Sequence, residues 1–356
     1  MKIKAVRSSL QEVPLSKPYT IAYNTFSHVD LAFFEVELDN GIIGYGTGSP
    51  AEDVVGENAR QTAQQLSTPF IQQFIGRDIR QFAKLINETR QHFVHLPGTQ
   101  AAVDLALHDA FTKYIGISVV DFLGQKIKAL PTSVTIGIKS VEETLADAAE
   151  FYSAGFRILK IKLGVNLAED IERIAKLFEQ FGKKMVIRVD PNQGYTFTQL
   201  EQFLSATSEY PIELIEQPLP VGKEEELLRL PWPVRKKVMG DESLQDPAAA
   251  LRYACQLPFG VYNIKLMKCG GITAAQEIAH IAQPAGVELF WGCNDESLLS
   301  ITAALHVAYS CPHTRYIDLD GSFDLASDFF TGGFQLKDGI LMIDNTRPGL
   351  GVQPLS

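Results

Sequence analysis

Cysteine is scarce in this 356-residue chain, and the four present (Cys255, Cys269, Cys293, Cys311) form no C-x-x-C pair. That excludes a disulfide scaffold and argues for a reduced, cytoplasmic protein. No uncharged apolar run reaches about 18 residues, so no membrane span is expected. The opening residues Met1-Lys-Ile-Lys-Ala-Val lack the apolar core of a signal peptide. Positive charge is also in deficit. The formal net charge is −10 and no Lys/Arg-rich run occurs, which argues against nucleic acid as a partner. Missing too is a Gly-rich nucleotide turn after the first strand of the αβ-alternating region, where Gly137-Ile-Lys139-Ser stands instead. The remainder is ordinary for a globular protein, at 46% hydrophobic and 21% charged residues.

What is present is a repeated design. Met185-Val-Ile-Arg-Val-Asp190-Pro-Asn192-Gln-Gly194 is an apolar run that ends in a carboxylate and is stopped by Pro, Asn and Gly. Similar runs end in Lys160-Ile-Lys162, Glu216-Gln-Pro218, Asp241-Glu242 and Asn263-Ile-Lys265. From Lys162 to Lys265 the polar tips stand 28, 26, 25 and 24 residues apart, about the length of one strand, one helix and their loops. Strand starts near 133, 158, 185, 212, 237, 261, 287 and 315 make eight. The expected fold is therefore α/β, a TIM-type (β/α)7β barrel over residues 126–325 with its site at the C-terminal strand ends. Helices are expected at 141–154, 168–181 and 198–207, and from Thr273 with Gln276 completing a capping box.

Residues 1–125 read as an α+β capping domain. Leu31–Leu38 alternates and turns at Asp39-Asn40-Gly41 into 42–45, a hairpin, and helices follow near 53–66, 79–91 and 99–115. Residues 13–26, with two prolines and three aromatics, suggest a loop, and 15–28 is a candidate lid. Residues 326–356 contain a second hairpin, 334–343, expected to return to the capping domain.

Chemistry follows from the strand ends. Asp190, Glu216 and Asp241 on neighbouring strands would converge, and three like charges in a partly dry cleft need a cation or protons. Ligands that are all oxygen, with no His or Cys nearby, favour Mg²⁺ over zinc. Asn192 and Glu242 are placed behind those ligands as supporting groups. Lys160 and Lys162 share a strand face, and Lys265 lies on the other side of the cluster. Lys268 is expected to be structural or solvent-exposed. Asp318 and Asp320, at i and i+2 on the eighth strand, point together into the barrel mouth, where they would repel an anionic substrate and hold an ammonium group.

The ordered set Lys-x-Lys, Asp-x-Asn, Glu-Gln-Pro, Asp-Glu-Ser and Asn-x-Lys-x-x-Lys resembles the muconate-lactonizing-enzyme subgroup of the enolase superfamily, along essentially the whole chain. The resemblance implies one Mg²⁺ per subunit on Asp190, Glu216 and Asp241. It implies Lys162 and Lys265 as the acid/base pair, with Lys160 assisting. A superfamily base of this kind removes a proton α to a carboxylate while the metal stabilises the ene-diolate. Two such lysines allow racemisation or epimerisation through an aci-carboxylate by two-base 1,1-proton transfer. They equally allow an o-succinylbenzoate synthase, an N-acylamino-acid racemase or a muconate-type cycloisomerase. Asp318-Leu-Asp320 resembles the pair with which dipeptide epimerases grip the substrate's α-ammonium, which favours a dipeptide substrate inverted at its C-terminal residue.

Thr135 is placed with the substrate-binding residues, and Glu296 in Trp291-Gly-Cys-Asn-Asp-Glu296-Ser297 in support. Relatives acting on Ala-Glu place a cation in the lid, but Tyr19–Phe26 has no Arg or Lys. With Ile21, Tyr23 and Phe26 as the pocket wall, small or hydrophobic uncharged dipeptides are expected. A metal-binding sensor without catalysis is the reading from another class, opposed by the presence of all five metal and lysine residues. Oligomeric state is left open, with a homo-oligomer admitted.

Overall fold

The computed structural model describes residues 1–20 and 25–355, without the side chains of residues 18–20, 25 and 26. Eight parallel strands form one sheet in sequential order. They are Val134–Ile136, Ile158–Lys162, Val186–Asp190, Ile215–Glu216, Val238–Gly240, Val261–Ile264, Glu288–Trp291 and Thr314–Ile317. A parallel bridge between Thr132 and Ile317 joins the last strand to the first, so the sheet closes into a barrel. Helices cover the outer face. Both faces of the strands are therefore dry, which is why they are continuous apolar runs rather than alternating ones.

The helices start where side chains can satisfy their free N–H groups. Ser140 and Glu143 make a reciprocal capping box on Val141–Ser153, and Thr196 and Gln199 do the same on Phe197–Ala206. Asn166 caps Leu167–Phe181. After the fourth strand the helix shrinks to a 3₁₀ segment, Glu224–Arg229, and one turn, Trp232–Arg235.

One helix start differs from expectation. Ile272–Ala285 begins at Gly271, and no Thr273/Gln276 box forms. The Thr273 hydroxyl instead donates to Asp104 of the capping domain at 2.6 Å, and Ile272 N donates to the same carboxylate at 2.8 Å. The cap is tertiary, supplied by another domain.

The capping domain pairs Ile3–Thr20, Thr25–Leu38 and Ile43–Gly48 in one antiparallel sheet. Its helix Pro97–Ile115 packs hard against the third strand because Gly44, Gly46 and Gly48 lack side chains. A Cβ at Gly46 would come 1.9 Å from Ala102 O. The expected loop at 13–26 is largely strand: Val13 pairs with Val29 and Tyr19 with Phe26, with a register shift between Pro14 and Tyr19. The prolines are accommodated at that irregularity. Ile21 and Tyr23 of the expected pocket wall lie outside the described residues. Phe26 lies in the second strand, its side chain outside the description.

Past the barrel, Phe334–Lys337 and Ile340–Ile343 form the hairpin, which pairs with Ala129–Pro131 beside the first barrel strand rather than with the capping sheet. Contact with the capping domain is made on either side of the hairpin: before it Ala326 N donates to Pro14 O and Phe330 packs on Phe33 and Tyr45, and after it Leu350 N donates to Asp109 and Val119 N donates to Gly349 O.

Candidate active site

The C-terminal ends of the barrel strands and the inner edge of the capping domain enclose one cavity. Lys160, Lys162, Asp241, Lys265, Asp318 and Asp320 line it together with Thr135, Asn192 and Glu242. Register puts Lys162 directly beside Asp190 across the second and third strands. The loops after those strands touch through glycine: a Cβ on Gly164, whose φ is +103°, would lie 2.2 Å from Pro191 O. Any larger residue would push the Lys162 and Asp190 loops apart. Asn192 (φ 43°) and Gln217 (φ 31°) hold left-handed backbone immediately past two strand ends. Such conformations are costly away from glycine and concentrate at functional sites.

Gln217 shows how that cost is offset. Its Oε1 accepts from Asp241 N at 2.9 Å and Ser243 N at 3.1 Å, and its Nε2 donates to Ser243 Oγ at 2.8 Å. It is a splint between the strand ends that carry Glu216 and Asp241. Asn263 Nδ2 donates to Glu216 Oε1 at 2.8 Å and fixes that carboxylate from the sixth strand. Neither role was read from the sequence, although both residues lie in the quoted motifs.

Four ammonium groups face the three carboxylates. Lys162 Nζ is 2.7 Å from Asp190 Oδ2, and Lys160 Nζ is 3.2 Å from the same oxygen and 2.8 Å from Glu216 Oε2. Lys265 Nζ is 2.9 Å from Asp241 Oδ2. Lys268 reaches Asp241 Oδ1 and the carbonyl of Asn263, fully enclosed rather than solvent-exposed. The sequence left Lys268 in a loop because nothing local shows that helix Leu266–Cys269 folds it back over Asp241.

The charge states follow. Burial alone would raise Asp241, but Lys265, Lys268 and Lys160 hold it well below the usual carboxylate range. Asp190 is likewise held down by Lys162 and Lys160 against burial. Glu216 goes the other way, pushed up to about 8 by burial and by Asp190. Burial would lower Lys160 and Lys265, yet the carboxylates around them hold both above their ordinary value. Lys268 moves down because burial and Lys265 outweigh Asp241.

These donors fit a hard divalent cation. They are all oxygen, and with Glu242, Asp318 and Asp320 counted beside them six carboxyl groups meet four ammonium groups. Glu216 is left without enough counter-charge to ionise at neutral pH. Asn192 Oδ1 and Glu242 Oε2 are buried with no hydrogen-bond partner among the described residues, while Asn192 Nδ2 and Glu242 Oε1 meet at 3.3 Å. Burial and Asp241 push Glu242 up to about 7. Among the described residues no three His, Cys, Asp or Glu side chains converge tightly enough to chelate as they stand, each carboxylate being engaged by a lysine.

At the eighth strand, Asp318 and Asp320 have different surroundings. Asp318 Oδ2 is 3.1 Å from Lys160 Nζ, and its Oδ1 accepts from Ser133 Oγ at 2.6 Å. Ser133 in turn accepts from the buried Arg188 at 3.0 Å. Asp320 Oδ2 accepts from Thr135 N at 2.8 Å, and among the described residues no lysine pairs with it. Burial, Asp318 and Asp324 push it well above the usual carboxylate range, whereas Lys160 and the Ser133 bond hold Asp318 down against burial. Glu296 is buried and is not among the residues lining the cavity; its Oε1 accepts from Asn294 N at 2.8 Å, holding its own loop. The acid of that loop that lines the cavity is its neighbour Asp295. Sequence spacing cannot separate two adjacent acids in a loop, because the period-2 rule holds only within strands.

Comparison with known proteins gives a consistent result. The model of the mandelate racemase/muconate lactonizing enzyme N-terminal domain matches residues 4–124, and the enolase C-terminal domain-like model matches 143–355. An L-Lys-D/L-Arg epimerase of Desulforapulum autotrophicum is 48% identical over 99% of each chain. A hydrophobic dipeptide epimerase of Enterococcus faecalis is 33% identical, again over 99% of each chain. The crystal structure of a dipeptide epimerase from Methylococcus capsulatus, complexed with Mg and the dipeptide L-Arg-D-Lys, superposes with a TM-score of 0.96. It is 44% identical and the match covers 99% of both chains.

Proposed function

This chain belongs to the mandelate racemase/muconate lactonizing enzyme family of the enolase superfamily, and on that premise we propose that it is a Mg²⁺-dependent epimerase of dipeptides with a cationic side chain. One observation carries the reaction type. Lys162 and Lys265, at the ends of the second and sixth of eight barrel strands, open from opposite sides onto one cavity.

A planar carbanion between two such groups can lose a proton to one face and gain one from the other, which inverts the centre. In one direction a neutral Lys162 takes the α-proton of the C-terminal residue while the Lys265 ammonium delivers a proton to the opposite face. In the other direction the roles exchange. Proton number is conserved over each turnover, since one lysine ends protonated and the other neutral. Lys160 adds positive charge next to Asp190 and Glu216. Asp190, Glu216 and Asp241 would hold the Mg²⁺. When bound, the ion supplies Lewis acidity to the substrate carboxylate, whose second negative charge is what makes the α-proton hard to remove. Asp320, with Asp318 behind it, would receive the α-ammonium, and Thr135 N fixes the Asp320 carboxylate.

For the side chains, the cavity supports a different preference from the small uncharged dipeptides expected from the lid. That expectation rested on Ile21, Tyr23 and Phe26, none of whose side chains is described. The described wall instead offers Asp53, Asp295 and Asp324 in addition to the reacting cluster. Such a wall attracts lysine and arginine side chains and repels glutamate. The names of the 48% and 44% identical relatives support the same reading.

Proton NMR in D₂O with Mg²⁺ tests it on a panel of L-Ala-L-Lys, L-Arg-L-Lys, L-Ala-L-Ala and L-Ala-L-Glu. Fastest loss of the C-terminal α-proton signal is expected for the lysine dipeptides. A kcat/KM highest for L-Ala-L-Glu would overturn the cationic reading, and absence of exchange in all four would overturn the reaction.

A further inference from the structure

Two carboxylates at the cavity wall have no part in the proton transfer. Asp295 stands on the loop after the seventh barrel strand and Asp324 on the segment after the eighth. The capping domain ties both by the main chain. Ser49 Oγ donates to Asp295 O at 3.2 Å, and Asn294 Nδ2 donates to Ser49 O at 3.1 Å. Ser16 N donates to Asp324 O at 2.7 Å, and Ala326 N donates to Pro14 O at 2.9 Å. The backbones are pinned, so the carboxylates are held at fixed places on the wall.

Neither carboxylate has a hydrogen bond or ion pair among the described residues. Of the other acids lining the cavity, Asp53 is exposed and the rest are engaged: Asp241 by Lys265, Asp318 by Lys160, Asp320 by Thr135 N and Glu242 by Asn192. Burial and Asp324 push Asp295 up to about 7, and Asp324 stands at the exposed rim of the cavity. Two acids that repel each other in a closing cavity are relieved by a cation. Lys162 and Lys265 act on Asp295 from across the cavity but are paired with Asp190 and Asp241, and Lys17, which acts on Asp324, turns outward to Glu150 at 3.3 Å, with both side chains more than half exposed. The relieving charge is then expected from the ligand.

We propose that Asp295, with Asp324 as the second carboxylate, determines specificity by seating the side-chain cation of the dipeptide's C-terminal residue, an inference that rests on the epimerase reading above. The C-terminal residue is the one implicated because both acids share the wall with Lys162 and Lys265, between which its α-carbon would lie. The amino end is already matched by Asp318 and Asp320.

The test compares substrates that differ only in the charge. For wild type, Asp295→Asn, Asp295→Glu and Asp324→Asn, kcat/KM is measured for L-Ala-L-Lys against L-Ala-L-norleucine, and for L-Lys-L-Ala against L-norleucyl-L-Ala. Each ratio is taken on one preparation, so partial unfolding cancels. In Asp295→Asn the ratio for C-terminal Lys to norleucine is expected to fall tenfold or more. Asp324→Asn should show a smaller fall, and Asp295→Glu should keep most of the preference. An unchanged ratio in Asp295→Asn, or a loss confined to the N-terminal pair, overturns the assignment. A wild type with no preference for lysine over norleucine overturns the cationic-substrate reading itself and the assignment with it.

Discussion

Lys160 Nζ stands 3.1 Å from Asp318 Oδ2, so a residue of the second barrel strand and one just past the eighth meet across the seam where the barrel closes. Asp318 is committed twice, to Lys160 and to Ser133, while Asp320 two residues on is held by the Thr135 N–H and, more weakly, by the Cys293 thiol at 3.9 Å. The two acids of one motif should therefore fail differently. Asp320→Asn is expected to raise KM more than it lowers kcat, because it weakens ammonium binding. Asp318→Asn leaves the buried Lys160 with Asp190 and Glu216 but without its third carboxylate, so the loss should fall below the about 3–5 kcal/mol of a buried charge left uncompensated. It should lower both kcat and the melting temperature. Equal effects of the two variants on KM, kcat and Tm would show that the acids act as one unit.

Metal removal is the second expectation. With Glu216 pushed up by burial and Asp190, the carboxylate cluster needs an added cation to be fully ionised. Dialysis against EDTA should abolish turnover, and Mg²⁺ should restore it. Full activity in excess chelator would remove the three carboxylates from the reaction.

The lysine pair gives the third. Lys162→Ala and Lys265→Ala should each reduce epimerisation by at least the 10²–10⁴-fold typical of acid–base groups. Each variant should still exchange the α-proton of one stereoisomer with D₂O, and the two should differ in which one. Retention of exchange for the same stereoisomer in both variants would be incompatible with one lysine per face.

A fourth expectation concerns stability against pH. His306 is fully buried, its Nδ1 accepting from Val120 N at 2.8 Å, and burial pushes its pKa down to about 4. In the unfolded chain a histidine titrates near 6.5. Between those values the unfolded state binds the proton and the folded state does not, so stability falls as pH drops from about 6.5 to about 4. The loss approaches about 3 kcal/mol at the acid end, from about 1.4 kcal/mol per pH unit. Melting temperature against pH should be flatter for His306→Asn than for wild type over that window. Parallel curves would assign the acid sensitivity to other groups.

Much of this protein is legible along the chain because its signals are local. Asp190, Glu216 and Asp241 end apolar runs at near-constant spacing, and a strand–helix repeat of that length has few ways to close other than a barrel with those residues on one rim. Lys160 and Lys162 share a face because alternate strand residues must. What escaped is what depends on contacts between distant segments. Asp104 caps the helix Ile272–Ala285 from another domain, so the Thr273/Gln276 pair that reads as a capping box is not the cap that forms. Lys268 and Gln217 lie within readable motifs, but only the folded loops bring them onto Asp241. Asp295, not Glu296, faces the cavity because Ser49 of the capping domain holds that loop. The residues that set strand ends are chosen by period and so are written in the sequence. The acids proposed to set specificity sit on loops that the capping domain ties by hydrogen bonds to their main chain.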